Sequence, residues 1–203
     1  MEEQIDNPWD IRYSGSDYVY GKEPNSFFKE CLSTLCPGKL LLPAEGEGRN
    51  AVWAAERGWG VNAFDQSNVG RNKAILLAQE KRVSIEYTIK SVEKFNPTPD
   101  EFDVVGLIYL HLPREIRTPF HHKIAASIKP GGRIILEAFT TKQLGYDSGG
   151  PRDINLLYTP GYILDDFRDF TFKIGGEAEV FLREGAYHSG KASVIRFFGR
   201  KKL

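Results

Sequence analysis

The stretch Lys39–Ala51, KLLLPAEGEGRNA, decides how the rest of the chain is read. Leu40, Leu41 and Leu42 form a continuous apolar run, too short for a helix and suited to a strand buried on both faces. Pro43 ends the run, Gly46 and Gly48 follow, and Arg49 to Arg57 is a helix-compatible segment closed by Gly58. Strand, glycine turn and helix in that order let backbone without a Cβ approach a nucleotide-like ligand. Val61 to Phe64 reads as a second strand, with Asp65 at its C-terminal end about seventeen residues after Gly48. A carboxylate there can accept hydrogen bonds from both ribose hydroxyls. Together the two signals imply an adenosine-containing cofactor and leave open which one.

The bulk composition narrows the classes. A chain of 203 residues is expected to form a single domain, a sheet with helices on both faces. Lys plus Arg and Asp plus Glu are 27 each, so no net field draws the protein to nucleic acid or a membrane surface. Arg200, Lys201 and Lys202 read as a solvated tail. Cys31 and Cys36 are the only cysteines, with no second pair for a metal site, which predicts reduced thiols, no metal and a cytoplasmic location. No apolar stretch reaches membrane-spanning length, and the acidic start (Glu2, Glu3, Asp6) is unlike a signal peptide.

Working outward toward the N-terminus, Trp9, Tyr13, Tyr18 and Tyr20 are too many aromatics to leave in water. Residues 1–25 are therefore read as an aromatic strap or a lid, ahead of a core at 26–203. Asn25 or Ser26 caps a helix whose Phe27, Cys31 and Leu35 share a face, placing Cys31 in the core. Toward the C-terminus, Ser67 caps a helix to about Lys81, and Ser84–Thr88 alternates as a third strand. Phe102–Tyr109, FDVVGLIY, is apolar nearly throughout and belongs in the middle of a parallel sheet, which puts Tyr109 and His111 where such sheets bind ligands. Thr118 and Pro119 read as the start of the next helix, with the adjacent His121 and His122 on its surface. Lys129-Pro130-Gly131-Gly132 leads into a strand over Arg133–Phe139. After the glycine-rich loop Leu144–Asp153 and a short helix over Pro160–Phe170, strands at Glu177–Arg183 and Ala192–Phe198 are joined by a hairpin loop over Glu184–Gly190. The predicted fold is a doubly wound, Rossmann-like α/β sheet, mostly parallel, ending in an antiparallel hairpin.

Gly46-x-Gly48-x-x-Ala51 with Asp65 also fits the dinucleotide fingerprint, so a nicotinamide-dependent oxidoreductase is one alternative, although no Tyr-x-x-x-Lys pair accompanies it. A non-catalytic module that binds S-adenosylmethionine (SAM) or a nucleotide is another. The terminal hairpin and the Lys-Pro-Gly-Gly turn, however, match class I SAM-dependent methyltransferases. The chain from about residue 9 to 201 resembles their tellurite-resistance-type, thiopurine-methyltransferase-like branch. The resemblance rests on WDIRY (Trp9–Tyr13), YGKEPN (Tyr20–Asn25), EGEGRNAVWAAERGW (Glu45–Trp59), HLP (His111–Pro113), KPGG and EGAYHSGKA (Glu184–Ala192). The chain departs from it at Leu42, where many members carry an acid, at Ala44, where they carry glycine, and at Ser91 and Val92, where an acid meets the adenine.

The resemblance implies SAM as cofactor, with Asp65 on the ribose, and Ala44, Gly46 and Gly48 along the adenosyl-methionine. Gln66, Ser91 and Val92 would lie near the adenine. Glu45 or Glu47 replaces the missing acid at the methionine ammonium, and Tyr13 and Tyr109 border the sulfonium. His111 and Tyr20 are the candidate catalytic residues, with Glu137 as a further candidate base. Phe139, Arg152 and His188 are candidates for the acceptor. The implied reaction is methyl transfer to a small molecule, such as a thiol, selenium or tellurium species, by a monomer or homodimer.

Overall fold

The computed structural model of the protein describes residues 7–203; the acidic start at Glu2, Glu3 and Asp6 lies outside the described residues. The leucine run is β1 (Lys39–Pro43), which pairs in parallel with β2 (Gly60–Asp65) on one side and β4 (Phe102–Ile108) on the other. β3 (Glu86–Ile89) lies beyond β2 and β5 (Ile128–Phe139) beyond β4. β6 (Phe170–Glu184) and β7 (His188–Lys201) complete a seven-stranded sheet of order β3-β2-β1-β4-β5-β7-β6, with β7 antiparallel to both neighbours. The chain leaves β1 in one direction to β3 and returns beside β1 at β4. That reversal opens a crevice at the C-terminal ends of β1 and β4.

Period-two alternation, with both faces covered, explains why Leu40, Leu41 and Leu42 of β1 are all apolar. Leu40 and Leu42 join a core with Phe28, Trp53 and Ala63, under α2 (Ser26–Leu32), α3 (Arg49–Ala55) and α4 (Asn68–Glu80). Leu41 points to the other face, into a core with Val105, Ile124 and Phe167 under α5 (Arg114–Ser127) and α6 (Pro160–Asp166). Cys31 is buried in the first of these cores, as its stripe predicts.

Four expectations need correction. Helix α5 begins at Arg114, because Pro113 fixes the entry and its carbonyl accepts from the Ile116 and Arg117 N–H groups, so Pro119 lies inside the helix. His121 is not on the surface. It is buried with Nδ1 at 2.8 Å from Asp166, whose carboxylate also accepts from Arg117 Nε at 2.9 Å; only His122 is exposed. Burial pushes the His121 imidazole below its ordinary value, against the pull of Asp166. Arg200 and Lys201 belong to a strand rather than a tail, with only Lys202 and Leu203 beyond it: Arg200 pairs with Arg133 and Thr171, and Lys201 Nζ donates to the Ile128 carbonyl at 2.6 Å. The hairpin is longer than its apolar pattern, and its turn is only Gly185, Ala186 and Tyr187. Its outer part is a two-stranded ribbon paired down to Glu184 and His188, carrying exposed Arg183, Ser189 and Lys191, so side-chain hydrophobicity gives no signal there.

Candidate functional site

The turn after β1 is built around backbone rather than side chains. Gly46 N–H donates to Asp65 Oδ2 at 3.0 Å, and the Gly46 carbonyl accepts from Tyr87 Oη at 2.6 Å. The other Asp65 oxygen accepts from Ser67 N–H at 2.8 Å. Burial raises the Asp65 carboxyl above its ordinary value, opposed by the N–H groups of Ser67, Gly46 and Gln66. Gly46 (φ +62°) and Gly48 (φ +86°) are required for two reasons at once. A Cβ on Gly46 would sit 2.6 Å from Tyr13 Oη, and one on Gly48 would sit 2.5 Å from the Ala74 Cβ of α4. The space that glycine frees at Gly48 is thus filled by α4, and Gly48, read from sequence as a cofactor residue, is not part of the cavity wall. Ala44 has φ +51°, a left-handed conformation that costs a residue with a Cβ about 1–2 kcal/mol.

The two turn carboxylates have structural partners. Glu45 Oε1 accepts from the N–H groups of Asn50 at 2.8 Å and Ala51 at 2.7 Å, capping α3 in place of Gly48, which has no side chain to do so. Oε2 receives only the Asn50 side-chain amide at 3.2 Å and retains room for another donor. Burial raises the Glu45 carboxyl to about 7, partly offset by these same donors. Glu47 accepts from Val19 N–H and Lys73 Nζ, both at 2.7 Å, and so ties the N-terminal strap to α4.

That strap is docked along its length. In α1 (Pro8–Tyr13), Asp10 Oδ1 accepts from Val69 N–H at 3.0 Å and from the Ser67 hydroxyl, so it adds a second cap to α4. Asn7 donates to the Gln66 carbonyl at 2.8 Å, and Tyr18 Oη to the Lys73 carbonyl at 2.9 Å. Tyr13 is buried in the cavity wall and stacks on Trp9 at 5.6 Å.

At the other end of the crevice the rings converge. Tyr109, with φ +52° at the end of β4, stacks on Phe139 at 4.7 Å and donates its hydroxyl to Glu137 at 2.8 Å. His188, at the start of β7, lies 4.5 Å from Tyr109, 4.6 Å from Tyr20 and 5.2 Å from Phe139 between ring centroids. His111 Nδ1 is 2.7 Å from the Leu156 carbonyl and must donate to it, while Nε2 accepts from Phe139 N–H at 3.3 Å. Burial lowers the His111 imidazole to about 4, so it is neutral with both ring nitrogens engaged, and it offers the cavity a ring face. Glu137 is fully buried, paired with Arg196 and bonded to Asn25 at 2.7 Å as well as to Tyr109. It is a junction within the sheet and not a cavity group. Arg152 is exposed and paired with Asp147 at 2.9 Å, and the structure does not bring it to the cavity.

These pieces enclose one cavity of about 630 Å³ that runs from Asp65 to His188. Of the residues singled out from sequence, Tyr13, Tyr20, Ala44, Glu45, Gly46, Asp65, Gln66, Ser91, Val92, Tyr109, His111, Phe139 and His188 line it; Gly48 and Arg152 do not. Sequence reasoning missed Arg12, Arg49, Asn50 and Tyr187, and the approach of Gly149 and Gly150. Arg49 ion-pairs with Glu184 at 2.9 Å, a contact across 135 positions that no local pattern encodes. A second cavity of about 640 Å³ lies along α5 and α6, lined by Arg114, Asp165, Arg168 and Lys201 among others, and shares no lining residue with the first.

No family model matches the chain. A 133-residue segment is 26% identical to a ubiquinone biosynthesis O-methyltransferase of Aeromonas salmonicida (strain A449), covering 64% of this chain and 51% of the relative. The chain thus spans about half the length of the curated relative it matches. Among solved structures, the N-methyltransferase NodS of Bradyrhizobium japonicum WM9, crystallised with S-adenosyl-L-homocysteine, superposes with TM-score 0.72 at 12% identity, over 97% of each chain. TehB of Haemophilus influenzae superposes with TM-score 0.72 at 16% identity, over 88% of this chain and 63% of its own. The fold is therefore that of the Rossmann-like methyltransferases, with the parallel sheet and C-terminal antiparallel hairpin that the sequence predicts.

Proposed function

We propose that the protein is a SAM-dependent methyltransferase acting on a small molecule. The observation that carries this is the continuous cavity at the switch point of the sheet. It has a buried carboxylate fixed by the glycine turn at one end and a closed cluster of aromatic rings at the other. The methyltransferase fold and the match to an O-methyltransferase support it. Asp65 would hold the ribose hydroxyls, Ala44 and Gly46 the adenosyl-methionine backbone, and Gln66, Ser91 and Val92 the adenine edge. Glu45 Oε2, with one weak partner, would meet the methionine ammonium. Tyr13, Tyr20 and Tyr109 border the region between the two ends.

Bound SAM supplies a methyl group already activated by a sulfonium. The work left to the chain is to hold donor and acceptor in line and exclude water. The tyrosine faces would stabilise the cation by about 0.5–2 kcal/mol, which favours binding and does not by itself lower the barrier. A soft sulfur, selenium or tellurium acceptor of the kind the resemblance implies would attack the methyl group without a base; a hydroxyl acceptor needs one. His111 then contributes as a wall of the acceptor pocket, as do Phe139 and His188. Calorimetry tests the reading: SAM and S-adenosylhomocysteine should bind, and NAD(P) should not. Binding of NAD(P) with no heat from S-adenosylhomocysteine would overturn it in favour of an oxidoreductase.

A further inference from the structure

One group at the acceptor end stands apart from the rings around it. His188 Nδ1 is 3.4 Å from Glu184 Oε2, and the turn between them closes the hairpin tip over the cavity. Glu184 is itself fixed, by Arg49 at 2.9 Å and by the Asn25 amide at 3.0 Å. Burial works to raise its carboxyl, but the His188 hydrogen bond and the Arg49 guanidinium outweigh this and hold it at about 2. Glu184 is thus a permanent carboxylate, and Nδ1–H of a neutral His188 donates to it. The lone pair of the ring is then on Nε2. Nε2 has no hydrogen-bond partner among the described residues, and no buried side-chain nitrogen or oxygen there lacks one, so Nε2 is open to the cavity that His188 lines.

Resting on the methyltransferase reading, we propose that His188 Nε2 is the general base for a small phenolic hydroxyl acceptor, with Glu184 as its positioning residue. As the methyl moves, the acceptor O–H bond breaks and its proton passes to Nε2. The electron pair left on oxygen forms the O–CH3 bond, and the C–S bond pair returns to sulfur, leaving neutral S-adenosylhomocysteine. The walls suit a flat ring: Tyr20, Tyr109 and Phe139 surround the imidazole at 4.6, 4.5 and 5.2 Å between centroids. They do not suit an acceptor that arrives as an oxyanion, whereas a phenolate formed in place is balanced by the imidazolium its proton creates. Arg49 is already neutralised by Glu184, and the Glu137 carboxylate lies just behind Tyr109. The charged and titratable groups facing His188 are Glu184, Arg49, Glu137 and His111, with burial as the main influence, lowering the imidazole pKa below its ordinary value. That leaves His188 unprotonated, as a base must be, at neutral pH.

The test uses the full chain saturated with S-adenosylhomocysteine, so that nothing turns over, and 4-nitrophenol, which colours on ionisation. Bound 4-nitrophenol should ionise at a lower pH than it does in solution, and His188→Gln should abolish that shift without changing S-adenosylhomocysteine affinity by calorimetry. With SAM, methylation of 4-nitrophenol should fall about 10²–10⁴-fold in His188→Gln. In Glu184→Gln, loss of the nearby negative charge should move the acid limb of kcat/KM to lower pH. Nitrogen NMR of the unmutated protein should show the His188 proton on Nδ1, a readout that does not depend on any variant folding. If S-adenosylhomocysteine does not bind, the methyltransferase reading itself falls. If it binds but 4-nitrophenol does not, or ionises equally in both proteins, or the proton is on Nε2, the base assignment alone is overturned.

Discussion

Asp65 provides the sharpest test of the cofactor end, because two roles can be separated by size. Its two oxygens already hold Gly46 N–H at 3.0 Å and Ser67 N–H at 2.8 Å. Asp65→Ala therefore leaves two backbone donors without their acceptor, at about 1–3 kcal/mol each if water does not replace it. One such loss of about 2 kcal/mol lowers the melting temperature by roughly 4–8 °C for a chain of this size. The ribose contacts are a separate quantity. Charge-assisted hydrogen bonds are worth about 1.5–3 kcal/mol, so S-adenosylhomocysteine affinity should drop about 10- to 150-fold. Asp65→Asn keeps one acceptor oxygen and should recover part of the stability, while its neutral amide remains weak toward the ribose. Calorimetry on both variants below their melting temperatures makes the comparison. If Asp65→Ala melts early yet binds S-adenosylhomocysteine as tightly as the parent, the carboxylate only builds the turn and the ribose assignment is wrong.

Further outcomes follow from the same geometry. Gly48→Ala must place a Cβ 2.5 Å from that of Ala74 at φ +86°, so it should cost more than the 1–2 kcal/mol of left-handed strain, read as a lower urea midpoint. Asp166→Ala removes the partner of buried Arg117 and His121 and should destabilise by about 3–5 kcal/mol, with cofactor affinity little changed in whatever remains folded. Two carboxyls should bend the pH–stability curve in opposite senses. Glu184, at about 2 when folded against 4.5 ordinarily, contributes about 3 kcal/mol above pH 4.5 that is lost as pH falls toward 2. Glu45, at about 7 when folded against 4.5, holds its proton more tightly in the native state, so stability declines as pH rises from 4.5 to 7, and Glu45→Gln should flatten that limb. Urea midpoints across pH would read both, and no change of slope in either variant would refute the corresponding assignment.

The fold was legible wherever burial was two-sided or periodic. The runs at Leu40–Leu42 and Val104–Ile108 are apolar because helices cover both faces, and that pattern points to the middle of the sheet. Legibility failed where backbone pairing outran side-chain pattern, as in the outer hairpin ribbon, and where a proline began a helix earlier than a better-looking cap. The Asp65 end of the cavity was readable because a strand, a glycine turn and a strand-end acid are local signals. The reason for Gly48 was not, since the atom it avoids belongs to Ala74 on another helix. Nor was the burial of His121, whose partner Asp166 lies 45 positions away. The acceptor end depends most on such distant pairs: Asn25 with Glu184, Arg49 with Glu184, and His188 among Tyr20, Tyr109 and Phe139.

The capping of α4 by Asp10 ties occupancy to order in the strap. The Ser67 hydroxyl and Val69 N–H meet this residue of α1, while Ser67 N–H meets Asp65, so one short segment joins the strap to the proposed ribose ligand. Anything that binds Asp65 also favours the arrangement in which α1 is seated, and anything that unseats α1 leaves the first turn of α4 short of an acceptor. The Val69 amide should therefore behave as a reporter, exchanging its hydrogen more slowly as S-adenosylhomocysteine fills the cavity although it belongs to a neighbouring helix cap. Deleting the chain up to Ser14 should weaken the cofactor as well as the acceptor, because the segment whose Arg12 lies over the Tyr187 ring also caps, through Asp10, the helix next to Asp65.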